Sequence, residues 1–254
     1  MERSEACLSA VLRLQLWLLK PLSLLERDSA VLASTVLLLR PSASGPEVLL
    51  LKRNPNARNM ADVWMFPGGK VDDDDRGCSE LERVKIAAVR ELEEEADVLL
   101  PATALTDFSH WLTPAGMKRR FATWFFVAQL PEGAAVCVDG EEMVEARWVR
   151  PADAVAEHQA GELRLPPPTV VSLIDLSQHR SVDDAINAAR RRVPPYFFPK
   201  VCAEDPKDVV MLYPGDAGYE SNDRSVEGDR HRASWVDGVI TYQRDFSFPD
   251  RDSV

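Results

Sequence analysis

Sulfur and histidine chemistry are both scarce in this chain of 254 residues. Its cysteines, Cys7, Cys78, Cys137 and Cys202, are scattered and form no C-x-x-C pair. That spacing excludes a sequence-readable zinc site or disulfide framework, and a reduced, cytoplasmic setting is expected. The histidines, His110, His158, His179 and His231, show no ligand spacing. Positive charge is also short: 30 Lys and Arg face 41 Asp and Glu, a net charge of −11. A protein that coats nucleic acid carries a basic stripe, so no nucleic-acid partner is expected. A small anionic substrate stays open, provided that metal and local basic groups neutralise it. Long apolar runs are missing too. Leu8 to Leu25 is mostly apolar, but Arg13, Lys20 and Pro21 interrupt it. A spanning helix wants about 20 nearly uncharged residues, so no membrane span is expected. Ala33-Ser34 is a poor signal-peptide cleavage site. Residues 1–26 therefore read as an amphipathic extension that packs on the body or on a partner chain, which leaves a homodimer open. There is no internal repeat and no low-complexity tract.

What is present reads as an alternation of strands and helices. Ser29 to Arg40 is rich in Val and Leu and predicts a buried strand. The turn cluster Pro41 to Pro46 hands it to a returning strand over Val48 to Arg53. Asn54 to Asp62 is a polar loop, Val63 to Phe66 a short apolar stretch, and Asp72 to Gly77 an acidic loop. Ser79 with Glu82 three residues on forms a capping box. The helix it starts should run to about Ala96, with Leu81, Val84, Ala88, Leu92 and Ala96 on one face. Strands are expected over 108–113, 121–130 and 142–149, and helices over 151–159, 169–178 and 181–192. Late strands are expected over 209–213 and 235–242, with 216–234 as a loop. Strands before and after one glutamate-rich helix suit an α/β/α layering, a mixed β-sheet between helices with extra C-terminal helices. The organisation expected is an extension (1–26), a domain (27–219, helical at about 151–192) and a tail (220–254).

The chemistry concentrates in Arg90-Glu91-Leu92-Glu93-Glu94-Glu95, about twenty residues after Phe66-Pro67-Gly68-Gly69. Glu91, Glu94 and Glu95 stand at i, i+3 and i+4, which puts three like charges on one helix face. Their repulsion costs stability, and a divalent cation would offset it. Hard cations such as Mg²⁺ take carboxylate oxygens and keep waters for a phosphate partner. The segment resembles the Nudix box, G-x5-E-x7-R-E-U-x-E-E-x-G-U with U apolar. Glu82, Arg90, Glu91, Leu92, Glu94, Glu95 and Val98 match. Arg76 stands where the box has its first glycine, and the Gly-Gly pair lies further upstream, so the loop is about seven residues longer. Asp97 replaces the second glycine, which would cap the helix in a left-handed conformation; Asp enters that region more easily than most residues. The resemblance implies metal-assisted attack of water on a diphosphate, with Mg²⁺ or Mn²⁺ as cofactor. Glu91 and Glu95 are the expected metal ligands, and Glu94 a third ligand or the base. Arg90 is expected to orient a glutamate through a bidentate contact, most simply Glu82. Gly68 and Gly69 would let the backbone approach the metal without a Cβ.

Leu49 to Arg58 followed by Phe66-Pro67-Gly68-Gly69 resembles the coenzyme A signature of one Nudix branch, L-L-T-x-R-[SA]-x3-R-x3-G-x3-F-P-G-G. Arg53, Arg58 and the FPGG match, while Leu51, Asn54 and Asp62 depart from it. Arg53 and Arg58 could pair with phosphates, or could be surface arginines beside a loop. His110 to Pro114, Arg119 to Phe126 and Tyr213 to Asp216 resemble the coenzyme A diphosphatases of the peroxisomal type and their bacterial relatives. One of Arg119 and Arg120, on opposite strand faces, could reach a substrate phosphate. Trp111 and Trp124 could stack on adenine, though core packing is the commoner role. Glu142 could complete the metal shell, act as base, or sit in an exposed acidic loop. A small nucleoside diphosphate-linked substrate is implied, with coenzyme A or an acyl derivative favoured. An ADP-ribose or NADH-type pyrophosphatase, or a non-catalytic nucleotide sensor, are the alternatives.

Overall fold

The computed structural model describes residues 30–205 and 207–253. The extension expected over 1–26 lies outside the described residues. Strand β1 (Ala30–Ser42) turns into β2 (Gly45–Arg53), and the short strands β3 (Trp64–Met65) and β4 (Gly68–Lys70) follow. After helix α1 (Glu80–Ala96) come β5 (Thr106–Leu112), β6 (Arg120–Gln129) and β7 (Met143–Val149). Helices α2 (Pro151–Gln159), α3 (Pro167–Leu176) and α4 (Val182–Arg191) precede β8 (Tyr196–Phe197). These strands form one mixed sheet in the order β3-β2-β1-β6-β5-β8, with β4 added to β1 and β7 to β2.

The near-continuous apolar run of β1 is explained by its two buried faces, since successive side chains alternate sides. Val36 and Leu38 join Val84, Ala88 and Leu92 of α1 in one core. Leu37 and Leu39 join Val170, Leu173 and Ile186 of the later helices in the other. The α/β/α layering expected from the sequence is thus present. The β1–β2 hairpin pairs only from Leu39↔Val48 to Ser42↔Gly45. Further back, β1 takes β6 in parallel and β4 antiparallel. The α1 cap forms as expected: Ser79 Oγ accepts the Glu82 N–H, and Glu82 Oε2 accepts the Cys78 N–H. At the other end Asp97 takes φ 56°, ψ 35°.

The last part of the chain differs from the sequence expectation. A second, antiparallel sheet runs β12-β11-β10-β9, from β9 (Lys200–Asp205) and β10 (Asp208–Leu212) to β11 (His231–Val236) and β12 (Val239–Arg244). The single strand expected over 235–242 is instead a hairpin through Asp237 (φ 49°) and Gly238 (φ 89°), the left-handed pair that a two-residue turn requires. The loop expected to reach 234 ends earlier, because His231 and Arg232 enter β11 as buried or paired groups. Arg232 forks onto Asp216 at 2.6 and 2.7 Å, and Asp216 also accepts the His231 and Gly218 N–H groups. So the expected tail, 220–254, carries β11 and β12, and both are bonded into the sheet of β10. His158 ties helix α2 and the loop after it to the second sheet: its Nδ1 donates to Leu163 O and its Nε2 accepts the Ile240 N–H, each at 2.8 Å.

His231 is 1% exposed and ringed by Phe197, Tyr213, Tyr242, Phe246 and Phe248. Its Nδ1 donates to Pro214 O at 2.6 Å, while Nε2 has no partner among the described residues. Burial depresses its pKa to about 4, with the Arg244 charge acting the same way. The folded ring stays neutral where the unfolded chain takes up a proton. Its contribution is therefore complete above about pH 6.5 and is lost as pH falls towards 4, by roughly 3 kcal/mol. Urea unfolding at pH 7.5 and 4.5 should show this excess acid loss, and His231→Phe should remove that share of it.

Candidate active site

Helix α1 lies across β4, and this crossing assembles the acidic cluster. Gly68 and Gly69 pair with Thr35 and Ser34 of β1. Glu95 is 4% exposed, and its Oε2 accepts the Gly68 N–H at 2.8 Å. Burial pushes its pKa up to about 8, and the charges of Glu91 and Glu142 act in the same direction. One turn earlier Glu91 is also raised, again mainly by burial, against the opposing pull of Arg90. A methyl group at Gly69 would stand closer than 3.0 Å to the Glu91 carboxyl. One at Gly68 would meet the backbone of Ser34 and Thr35 at similarly short range. The two glycines thus serve different ends: one lets strands meet, the other lets a carboxylate reach the backbone.

Arg90 sits beside this pair with every donor engaged. Nε and Nη2 fork onto Asp75 at 3.0 and 2.9 Å, Nη1 donates to Glu91 Oε1 and Glu94 Oε2 at 2.9 Å, and Nη2 also reaches Lys70 O. The expected bidentate partner, Glu82, is not the one found. Its carboxylate is turned to the helix start, onto the Cys78 N–H at 2.6 Å. Asp75, 2% exposed, was hidden in sequence among the acidic residues of the longer loop. Composition makes Asp72 to Asp75 look alike, and only burial separates the last of them.

The remaining expected residues divide. Arg53 Nη2 meets Glu142 Oε1 at 2.6 Å, and both charges act on Glu95. Strand β2 and the approach to β7 therefore bring this pair to the carboxylates. Arg58 is exposed in the loop after β2. Arg119 is exposed, over the Phe121 ring at 5.4 Å. Arg120 donates Nε to Thr113 O at 3.2 Å and pairs in register with Ala30. Since Ala33 is the β1 residue opposite Lys70, Arg120 lies roughly 10 Å up the strand from β4, at about 3.3 Å per residue. Trp111 is core, stacked on Phe197 at 3.9 Å. His110 is 4% exposed and stacked on the half-buried Trp124 at 4.6 Å.

No three His, Cys, Asp or Glu side chains among the described residues stand together as a closed ligand cage. The donors nonetheless fit a hard dication. Two adjacent carboxyls resist ionising alone, a backbone free of Cβ approaches one of them, and a cation that keeps its waters needs only one or two carboxylates.

The comparisons with known proteins agree with this geometry. The NUDIX domain family matches residues 31–168, so the chain belongs to the Nudix hydrolase family. It is 32% identical over 212 residues to "Putative nudix hydrolase 7" of Caenorhabditis elegans, covering 68% of this chain and 69% of that protein. It is 37% identical over 161 residues to the human protein named "Acyl-coenzyme A diphosphatase NUDT19", covering 56% of this chain. The match spans only 41% of the human protein's length. A crystal structure of a NUDIX hydrolase from Alicyclobacillus acidocaldarius superposes with a TM-score of 0.57 at 22% identity, over 62% of this chain and 96% of that one. The fold of the Nudix half is therefore shared with a solved structure. No helix among the described residues is long and apolar enough to cross a membrane.

The two glycines generate a contrast that can be measured. Gly68→Ala should cost at least about 1–3 kcal/mol of stability, since backbone blocks the new methyl. Gly69→Ala should melt closer to the wild type yet lose more activity, because it displaces the Glu91 carboxyl. Thermal melts beside turnover of a diphosphate substrate decide it.

Proposed function

We propose that the chain is a diphosphohydrolase that cuts coenzyme A or acyl-coenzyme A into 3′,5′-ADP and the corresponding (acyl-)phosphopantetheine. The observation that carries the reaction is the desolvated Glu91–Glu95 pair against Gly68 and Gly69. Glu91 and Glu95 would hold Mg²⁺ or Mn²⁺, with Glu94 as a third ligand or as the base. The bound ion would polarise a phosphoryl oxygen and acidify a bound water. The chain's own groups do the rest. The Gly68 N–H fixes Glu95, Arg90 Nη1 holds both Glu91 and Glu94, and Glu142, paired with Arg53, is a second group that would take a proton from water. Arg53, next to the carboxylates, would meet the substrate's diphosphate with a planar fork matched to phosphate oxygens.

The coenzyme A assignment rests on different support: the partial signature at Arg53, Arg58 and Phe66 to Gly69, and the name borne by the human relative. Arg58, exposed and on the loop after β2, is suited to the 3′-phosphate. Arg119, exposed on the β5–β6 loop, would be a second basic group for that anion.

Glu91→Gln and Glu95→Gln should each abolish metal-dependent turnover, beyond the roughly 10–100-fold expected for loss of an outer-shell partner. Glu95→Gln should still fold, since its amide oxygen can accept the Gly68 N–H. Coenzyme A, dephospho-coenzyme A, ADP-ribose and NADH should be compared with product identification. Turnover that is unchanged without the 3′-phosphate, or that favours ADP-ribose, would replace the coenzyme A reading with a general ADP-linked pyrophosphatase.

A further inference from the structure

A cavity of about 260 Å³ lies where β5, α3, β8 and β12 meet. Its lining belongs to the core layer of α3 and α4, whereas Glu91 and Glu95 ride on α1 in the other layer. The main sheet therefore stands between this cavity and the acidic cluster. The walls are apolar: Phe108 from β5, Val171 and Ile174 from α3, Phe197 from β8, and Phe248 after β12. Sites for drug-sized ligands run to about 300–1,000 Å³, so this one suits a smaller body.

Asp175, Arg192 and Arg244 line the same cavity. Arg192, with a side chain 11% exposed, donates Nη1 to Asp175 Oδ2 at 2.5 Å and Nη2 to Phe108 O at 3.3 Å. Its Nε is buried with no partner among the described residues. The Tyr242 hydroxyl, also on the wall, is buried in the same state. Burial pushes its pKa up, so it remains a proton donor. Arg244 Nη2 stands 3.9 Å from Asp175 Oδ1, beyond hydrogen-bond range, and its guanidinium lies over the Phe248 ring at 4.0 Å. Two guanidinium groups against one carboxylate leave a single positive charge beside an apolar surface. Buried polar atoms are nearly always paired, yet here donors from three side chains converge on one cavity without an acceptor for each. We infer that the cavity is a second binding site, for a small monocarboxylate with a compact aromatic or branched apolar body. Its oxygens would accept from Arg192 Nε, the Tyr242 hydroxyl and Arg244, and its body would lie among Phe108, Val171, Phe197 and Phe248. A guanidinium suits a carboxylate, and the surrounding rings suit an aromatic body through edge and face contacts. A dianion such as phosphate is disfavoured, because Asp175 cancels one of the two positive charges and the walls offer phosphate nothing. The ligand would touch both β5 of the main sheet and β12 of the second, and so hold the two sheets together.

The full chain would be titrated with phenylacetate, benzoate and isovalerate by isothermal calorimetry, with melting temperature read alongside. At least one acid should bind saturably, one per chain, and raise the melting temperature, as a ligand of the folded state does. Its neutral amide should bind at least about tenfold more weakly. Tyr242→Phe and Arg244→Gln should each weaken the acid by about 10–100-fold, the loss expected for a hydrogen bond to a charged group. Glu95→Gln, in the other layer, should bind the acid like the wild type. Binding and diphosphate cleavage can thus fail independently of one another. Saturable binding by none of the three acids overturns the inference, as does an amide that binds equally well. Unchanged affinity in both Tyr242→Phe and Arg244→Gln overturns it too, as does loss of binding in Glu95→Gln or displacement of the acid by inorganic phosphate. If Tyr242→Phe does not fold, Arg244→Gln decides by the same measure.

Discussion

Removing a carboxylate from water costs several kcal/mol unless charge or hydrogen bonds replace the lost solvation. Glu95 receives a single backbone N–H in return, from Gly68. That imbalance is tolerable only where the group is held for a task, and it sets the terms for its surroundings. Helix α1 must press onto β4, so β4 can carry no side chain at the crossing. The β1 backbone must lie close behind, so Gly68 cannot be replaced without moving Ser34 and Thr35. Arg90 must spread its charge over two box glutamates, since three neighbouring acids repel one another. Perturbed carboxyls of this kind concentrate where a protein does chemistry, and here they concentrate on the stretch that defines the family.

The sheet holds this arrangement rigid from behind. Strand β1 is inserted between β2, β4 and β6, with a helical layer on each side. Its register with β4 therefore determines where the glycines meet α1. A slip of one residue would turn Leu37 and Leu39 into the wrong core. The site thus borrows its geometry from two apolar interiors that are far more costly to disturb than any one ion pair.

Much of this was readable in the residues themselves. The apolar period of α1, its Ser79 cap and the two-sided apolar run of β1 each announce their structure, because local pattern and tertiary environment agree. The FPGG and the box glutamates carried the site. What escaped were features that exist only through distant partners. Asp75 is chemically indistinguishable from Asp72 to Asp74 until Arg90 is folded over it. Strand β8 has only two residues, and neither it nor β9 is recognisable without β5 and β10 to pair with. The start of β11 reads as loop because His231 and Arg232 are polar, and their burial depends on Pro214 and Asp216, more than a dozen residues back.

The ring of His158 spans 82 positions of sequence to take the Ile240 N–H. A link of that range closes late, because the loop entropy must be met before the contact can reward it. On a growing chain the catalytic half would have its glutamates, its glycines and both helical layers in place while that imidazole nitrogen still waited for a donor. The β11–β12 hairpin thereby has the character of a latch, whose departure would strip the His158 ring of that bond and unsettle α2.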